Sequence, residues 1–424
     1  YWMDEKEGAY KADTAAAAGQ DKQIVLVDPY LVYYGKKGIK HTIQSRIYSA
    51  QNIVTGSKSN KSLSLYGEYQ FQKRFSQIGL ILTSGLVANF SHTNAELYGD
   101  SIFTANNYGI YLQMEKKFWD KLNLVAGARY ETNEITGPVI INGKDVRDKY
   151  KKESEPVFRF GANYSLFKYT NLRASWGQGF RYPTIAEKFT STYSGNLYIY
   201  PNPDLHAEKG YTVETGIRQG LKFGKFKGFI DFSVFQSEYK DMIEFALNYD
   251  PGRKIFYFAA ENIGNTIIKG YEFSSGVLGK IGDMELNFIG GFMHINPKYK
   301  DFTDEVKKNL SVDYNILKYR YKNSYKFDIG LKYKSFSIGF GSNFNSFMEA
   351  IDKIFESDQF FKGVKKYRTG HNQGSNIYRL RAGYNYKPFE FRFNIDNLFN
   401  TEYSVRPGLL EPPRKYTFSL IFDL

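Results

Sequence analysis

Tyr325-Lys326-Phe327-Asp328-Ile329-Gly330-Leu331-Lys332-Tyr333 alternates without a break. Tyr325, Phe327, Ile329, Leu331 and Tyr333 are apolar, and Lys326, Asp328 and Lys332 stand between them. The pattern returns from Tyr378, where Tyr378, Leu380, Ala382, Tyr384 and Tyr386 oppose Arg379, Arg381, Gly383 and Asn385. From Phe389, the apolar Phe389, Phe391, Phe393 and Ile395 oppose Glu390, Arg392, Asn394 and Asp396. The chain closes on Tyr416, Phe418, Leu420, Phe422 and Leu424, with Ile421 alone breaking the parity. A period of two is a strand with one apolar and one polar face. In a soluble sandwich such strands are usually shorter. About ten alternating residues, segment after segment, suit a tilted strand crossing a bilayer. A charge on the lipid face costs roughly 2–4 kcal/mol at mid-membrane, which keeps the charges to one parity. The stretch predicts an all-β, antiparallel transmembrane β-barrel with a wet, charged lumen. Leu380, Tyr384, Phe391 and Phe393 are expected toward lipid, and Arg379, Arg381, Arg392 and Asp396 toward the lumen.

Composition agrees with this reading. A chain of 424 residues could hold two or three soluble domains or one large barrel. It has no run of 18 or more apolar residues, and so no transmembrane helix. Mean hydropathy is -0.48, yet 36 Tyr and 36 Phe bring the aromatic content to 18%. High polarity with many aromatics is odd for a soluble core and fits aromatic girdles around a polar lumen. The lack of cysteine excludes a disulfide framework and a thiolate metal site. The net charge of +13 favours anionic ligands or lipopolysaccharide, although solvated loop lysines account for most of it. The basic residues form no single stripe, which argues against nucleic acid. Tyr1-Trp2-Met3-Asp4 has neither the basic start nor the apolar run of a signal peptide, so the chain is expected to be a fragment or processed piece.

Taken in order, the chain offers about 17 strands. The first, Gln23 to Tyr34, contains Pro29 and is expected at an edge or irregular position. Lys254 to Val277 reads as one strand with a bulge. Short and long connections alternate, the asymmetry of outer-membrane barrels. Gly35–Gly38 and Lys387-Pro388 read as periplasmic turns. The loops Gly179–Ala207, Asn296–Tyr321 and Asn345–Gly374 are placed outside. An odd count is unusual for a bacterial barrel, so strands are expected upstream.

Four blocks then carry a family resemblance. Leu172-Arg173-Ala174-Ser175-Trp176-Gly177-Gln178-Gly179-Phe180-Arg181-Tyr182-Pro183-Thr184 resembles the FRAP block of TonB-dependent outer-membrane receptors. Pro201-Asn202-Pro203-Asp204-Leu205-His206-Ala207-Glu208 resembles their NPDL block. Lys269-Gly270-Tyr271-Glu272 is similar to a later strand of the family. Asn397-Leu398-Phe399-Asn400-Thr401-Glu402-Tyr403, followed by Pro413-Arg414-Lys415-Tyr416-Thr417-Phe418, is similar to its C-terminal end. The resemblance implies a 22-stranded barrel around a plug. Nothing here resembles the plug or the TonB box, so residues 1–424 are expected to be a partial barrel domain. The plug and first strands would come from upstream or from a second chain. The resemblance also implies a multi-pass protein of the Gram-negative outer membrane, set in lipid and lipopolysaccharide. It would be driven by the TonB complex and would import an iron chelate or a similar small ligand.

The candidate ligand residues are Arg181, Lys188, Tyr193, Tyr198, Tyr200 and His206. Loop aromatics can stack on ligand rings, and Arg181 and Lys188 can pair with anionic iron chelates. Haem receptors of the family carry an axial histidine between the first two blocks. Here that interval holds Tyr193, Tyr198 and Tyr200, and tyrosinate also ligates haem iron. The bland reading gives Asn202-Pro203-Asp204 a turn role and leaves His206 a solvated loop residue. The five histidines, His41, His92, His206, His294 and His371, show no metal-ligand spacing, and no catalytic cluster is present. No resident cofactor and no enzyme are therefore expected. Siderophore uptake is the leading reading. Haem uptake and a passive porin-like channel are the alternatives, with an enzyme or adhesin barrel further behind.

Overall fold

The structure is a computed structural model, which describes residues 19–422 apart from 57, 142–143, 195–196, 304–306 and 308–313. Its main body is an 18-stranded sheet in which strands pair antiparallel with their neighbours in sequence. The strands are Gln20–Val27, Tyr30–Tyr34, Ile39–Val54, Asn60–Phe75, Leu80–Ala95, Ser101–Phe118, Leu122–Thr136, Glu153–Phe167 and Thr170–Arg181. They continue as Glu208–Phe223, Phe226–Lys240, Thr266–Ile281, Met284–Tyr299, Asn323–Tyr333, Phe336–Asn345, Ser375–Tyr386, Phe389–Asp396 and Lys415–Phe422. The first two both pair with Ile39–Val54, so they fill one strand position and the sheet has seventeen. Pro29 causes that break, because it has no N–H to donate to the ladder. Its carbonyl still accepts from the Ser45 N–H at 3.0 Å, and Asp28 beside it pairs with Arg46 at 2.7 Å.

Side-chain parity follows the alternation. Arg379 and Asp396 stand opposite each other in register and pair at 2.5 Å. Arg381 reaches across the whole strand Phe336–Asn345 to Asp328, at 2.7 Å. That reach needs bare backbone beneath it. A side chain at Gly339 would collide with the Arg381 guanidinium, and one at Gly341 would crowd the Asp328 carboxylate. On the other face the aromatic rings form ladders, with Phe336 and Tyr384 4.6 Å apart and Phe393 and Tyr416 6.3 Å apart. Tyr384, Phe393, Phe418 and Leu420 are exposed there. So broad an apolar face is a lipid-facing wall, and the charged face lines the lumen. The lumen is not uniformly polar. Ile289 stands in register with Asp328, and Phe235 lies over Gly270.

Two expectations are corrected. Lys254 to Val277 is not one bulged strand. Ile255–Asn262 pairs with Ile243–Asp250 in a hairpin above the wall, and the wall strand starts only at Thr266. The chain turns between them at Gly264, whose φ of 96° suits glycine. The wall strands also run longer than the alternation suggested, reaching Arg181 and Tyr299, so the loops after them are shorter.

One rim carries tight turns, such as Gly224-Lys225, Gly282-Asp283 and Lys334-Ser335, with positive φ at Gly224, Gly282 and Lys334. The other rim carries the described residues of the segments 137–152, 182–207, 241–265, 300–322, 346–374 and 397–414. Among the described residues, Lys415–Phe422 pairs only with Phe389–Asp396, and the opposite edge only with Ile39–Val54. No register joins the two edges.

Candidate functional site

The long loops pack into a cap, and the buried apolar clusters lie in it and at the strand ends beneath it. In one, Phe189 is fully buried against Phe103, Ile135, Ile141 and Val146, its ring 4.5 Å from that of Phe103. Thr184 places Phe189. Its hydroxyl accepts from the Glu187 N–H, and the Glu187 carboxylate accepts from the Thr184 N–H, a capping box on the short helix Ile185–Phe189. Arg181 is clamped between Glu187 and Glu208, at 2.8 Å to each. Lys188 is buried and donates to the Leu205 carbonyl at 2.8 Å. Burial pushes its ammonium below the usual lysine range, with Glu153 and Asp204 opposing. Both cations are engaged inside the cap.

The block around Asn202 is a strap. Its amide donates to the Ala260 carbonyl at 2.9 Å and its Oδ1 accepts from the Asp204 N–H at 3.2 Å. Asp204 pairs with Lys149 at 2.8 Å. The Ala207 N–H donates to Glu153 at 2.7 Å. The block ties the segment 182–207 to two neighbours. His206 sits at its base, exposed, with Nε2 3.5 Å from Asp241.

The tyrosines are brought together. Thr192–Ser194, Leu197–Ile199, Ile255–Asn262 and Ile243–Asp250 form a four-stranded sheet above the barrel. Tyr193 and Tyr198 are opposite in register, and Tyr198 pairs with Tyr257. Tyr200 stacks on Tyr257 at 4.6 Å, and its ring centroid is 6.2 Å from that of Tyr198. Two cations serve this ridge. Arg253 donates to the Tyr200 hydroxyl at 2.8 Å, and the Lys58 ammonium lies 5.6 Å from the Tyr193 ring centroid. Tyr193 and Tyr198 are 59% and 42% exposed, so both leave ring surface open on the cap. Lys58, Arg253 and Tyr257 are absent from the sequence-based candidates. The signal that finds two of them is Pro251-Gly252, a turn dipeptide between Tyr249 and Phe256 that splits the region into a hairpin.

Behind this sheet residues 319–321 and 346–374 pack around Met348, Ile351, Ile354, Phe355, Phe361 and Val364, with Leu247 and Phe258 of the hairpin against them. A charged group is sealed in the same place. Lys318 and Asp352 pair at 2.7 Å with side chains 1% and 2% exposed, and the Tyr319 hydroxyl reaches the same carboxylate at 2.5 Å. Glu244 lies 3.7 Å from Arg320. Burial raises its pKa above the usual carboxylate range, against the pull of Lys318 and Arg320. Among the described residues no three His, Cys, Asp or Glu side chains gather as a metal site.

Comparison with known proteins gives the context for this cap. "Hemoglobin-haptoglobin utilization protein B" of Neisseria meningitidis is 25% identical over 250 residues, which cover 53% of this chain and 30% of that protein. The chain thus spans under a third of the length of that relative. Two solved structures share the fold. "Copper transporter OprC" has a TM-score of 0.71 at 14% identity, covering 96% of this chain and 67% of that one. The siderophore receptor PiuA from Acinetobacter baumannii has a TM-score of 0.69 at 12% identity, covering 96% and 65%. Their names point to different ligands, as expected when function lives in loops carried on a common frame. The family model described as "TonB dependent receptor-like, beta-barrel" matches residues 12–398. With the alternating wall, the one-sided loop cap and that match, this chain belongs to the TonB-dependent receptor β-barrel family, whose members are transporters and not enzymes.

Proposed function

We propose that the chain is the wall and loop cap of an outer-membrane importer that captures an iron complex outside and passes it inward under TonB drive. The observation that supports this best is the ridge of Tyr193, Tyr198, Tyr200 and Tyr257 with Arg253 and Lys58 beside it. Exposed phenol rings offer stacking surface, and nearby cations offer charge to an anionic chelate. A ferric siderophore with aromatic rings has both properties and is the first reading. Haem is the second, favoured by the haemoglobin-haptoglobin name of the Neisseria relative. Arg181, Lys188 and His206 are proposed only as supports of this surface, because their partners lie within the cap.

The test is growth. A host lacking its own iron receptors, expressing the full-length protein, is supplied in turn with ferric siderophores, haem and simple iron salts. Rescue on a siderophore or haem that disappears when TonB is deleted is the expected result. Rescue independent of TonB, or general permeability to small solutes, would make the protein a passive channel instead.

A further inference from the structure

The surplus positive charge of the chain sits at the rim of tight turns. Among the described residues that rim has eight turns. Within three residues of them stand sixteen Lys and Arg against four Asp and Glu. The whole chain holds 57 against 44, so the rest of it is close to neutral. Two of these cations break the parity of the wall. Lys73 shares the lipid-facing parity of the exposed Leu65 and Tyr69, and Lys116 that of the exposed Leu112 and Met114. Both ammoniums reach back to turn carbonyls. Lys73 donates to the Lys37 oxygen at 2.7 Å, and Lys116 donates to the Ile78 oxygen. Each lies over a ring, 5.6 Å from the Phe75 centroid and 5.4 Å from that of Phe118. An ammonium has three N–H groups, so each keeps two for another acceptor.

A groove on the lipid face begins at Lys116. It holds about 670 Å³, with Lys116, Leu124, Phe160, Ala162, Ala174 and Trp176 among its walls. Its floor follows one row of register partners, from Lys116 to Leu124, Ala162, Ala174 and Thr215 in turn. Phe160 and Trp176, stacked with centroids 5.8 Å apart, flank that row on the side away from the turns. The row climbs. Lys116 is two residues from the turn-side end of its strand at Phe118, Ala162 is five from Phe167, and Thr215 is eight from Phe223. The groove therefore rises from the rim into the hydrocarbon band, with a cation at its foot.

We propose that this groove holds an acyl chain of an anionic phospholipid from the leaflet at the tight-turn rim. Its phosphate pairs with Lys116, and Lys73 is the next cation along the wall. Charge decides the headgroup. Lys121, Lys168, Lys222 and Lys225 are exposed on or beside the turns under the groove. The single acid within three residues of those turns is Asp120, which is engaged by Lys117 at 2.9 Å. A zwitterionic head brings its own cation into this field, whereas an anionic head brings none. Position decides the leaflet. A lysine on the lipid face is tolerated near the interface, where its cost falls to about 0–1 kcal/mol. Lipopolysaccharide belongs to the opposite, cap-side rim in the outer-membrane reading. The inference rests on that membrane setting and not on which ligand is imported.

The experiment titrates the full-length protein in detergent with phosphatidylglycerol, phosphatidylcholine or lipopolysaccharide and reads retained lipid by native mass spectrometry. Phosphatidylglycerol should be retained at concentrations at least about tenfold below phosphatidylcholine, since each nearby lysine favours an anionic lipid by about fivefold. Lys116→Gln should weaken phosphatidylglycerol by about fivefold and narrow the gap between the two lipids. Adding Lys73→Gln should weaken it about as much again, and Lys116→Arg should keep it. Ala174→Phe fills the groove and should weaken both lipids. Ala162→Leu is the milder filling, and heat-resistant migration on gels checks that each variant is folded. Lys387→Gln, at a turn away from the groove, should change nothing. Equal retention of the two phospholipids would overturn the proposal, as would wild-type binding by folded Lys116→Gln or by both groove-filling variants. Competition by millimolar glycerol 3-phosphate would overturn the acyl groove in favour of a bare phosphate site. Preference for lipopolysaccharide would overturn the leaflet. Phosphatidylglycerol selectivity without TonB-dependent growth would sink the import reading and leave this inference standing. TonB-dependent growth without lipid selectivity would do the reverse.

Discussion

The wall and the cap of this molecule solve opposite problems. In the wall, apolar side chains face outward and the charges meet one another across the lumen face, as Arg381 meets Asp328. In the cap, apolar side chains face inward around Phe355 and Phe189, and a charged pair is sealed among them. The wall is held by a ladder that runs from neighbour to neighbour. The cap is held by contacts between segments far apart in sequence, such as Asn202 with Ala260 and Lys318 with Asp352. The difference teaches where damage should spread. A lesion in the wall strikes membrane insertion, whereas a lesion in the cap should loosen loops and spare the barrel.

The sharpest way to break this contrast is Asp352→Ala. It leaves the Lys318 ammonium buried without its carboxylate, a loss of about 3–5 kcal/mol when a buried pair is cut on one side. Limited proteolysis should then cleave within the segments 300–322 and 346–374, while the barrel keeps its heat-resistant migration on gels. Loss of the barrel itself would show that cap and wall are one cooperative unit. Replacing both residues, Lys318→Met with Asp352→Leu, should recover most of the stability.

In the wall, Leu380→Arg places a charge on the lipid face at a cost of roughly 2–4 kcal/mol if it sits near the midplane. The readout is folded yield in a detergent or lipid refolding titration. A neutral result would mean that the parity is inverted. By contrast Arg379→Gln removes one member of a half-exposed pair and should change stability by under about 1 kcal/mol.

Between these lies the helix that positions Phe189. Thr184→Ala removes a capping hydroxyl and should cost about 1 kcal/mol, seen as faster proteolysis within 182–207 alone.

The smallest effect concerns pH. Glu244 has a folded-state pKa raised by burial. The folded cap therefore holds the proton more tightly than the unfolded chain, and cap stability should fall as pH rises from the ordinary glutamate value through the raised one. Glu244→Gln should flatten that fall and protect the loops at neutral pH. A variant with the wild-type profile would assign the pH dependence to other groups.

Much of the wall was legible because its signal is local. Each residue's face follows from its position in a period of two, and the charges at Arg379, Arg381 and Asp396 obey it. The misreading came at Lys254 to Val277, where the alternation continues through a corner and only Pro251-Gly252 and Gly264 mark the change of sheet. The candidate residues divide on the same principle. Tyr193, Tyr198 and Tyr200 lie close in sequence and share one small sheet. Arg181 and Lys188 looked available because nothing local names Glu208 or the Leu205 carbonyl as their partners.

The sequence by itself determined the strands, their two faces, the alternation of short and long connections and the family blocks. Each strand's two faces are written in residues that are neighbours along the chain. Only the tertiary structure decided which loop cations were engaged, that Lys318 and Asp352 are buried together, and that Tyr257 and Arg253 join the tyrosine ridge. The reason is physical. A strand's facing is set by backbone geometry that repeats every two residues. A loop residue's role is set by whichever distant segment packs against it, and no periodicity in the chain encodes that.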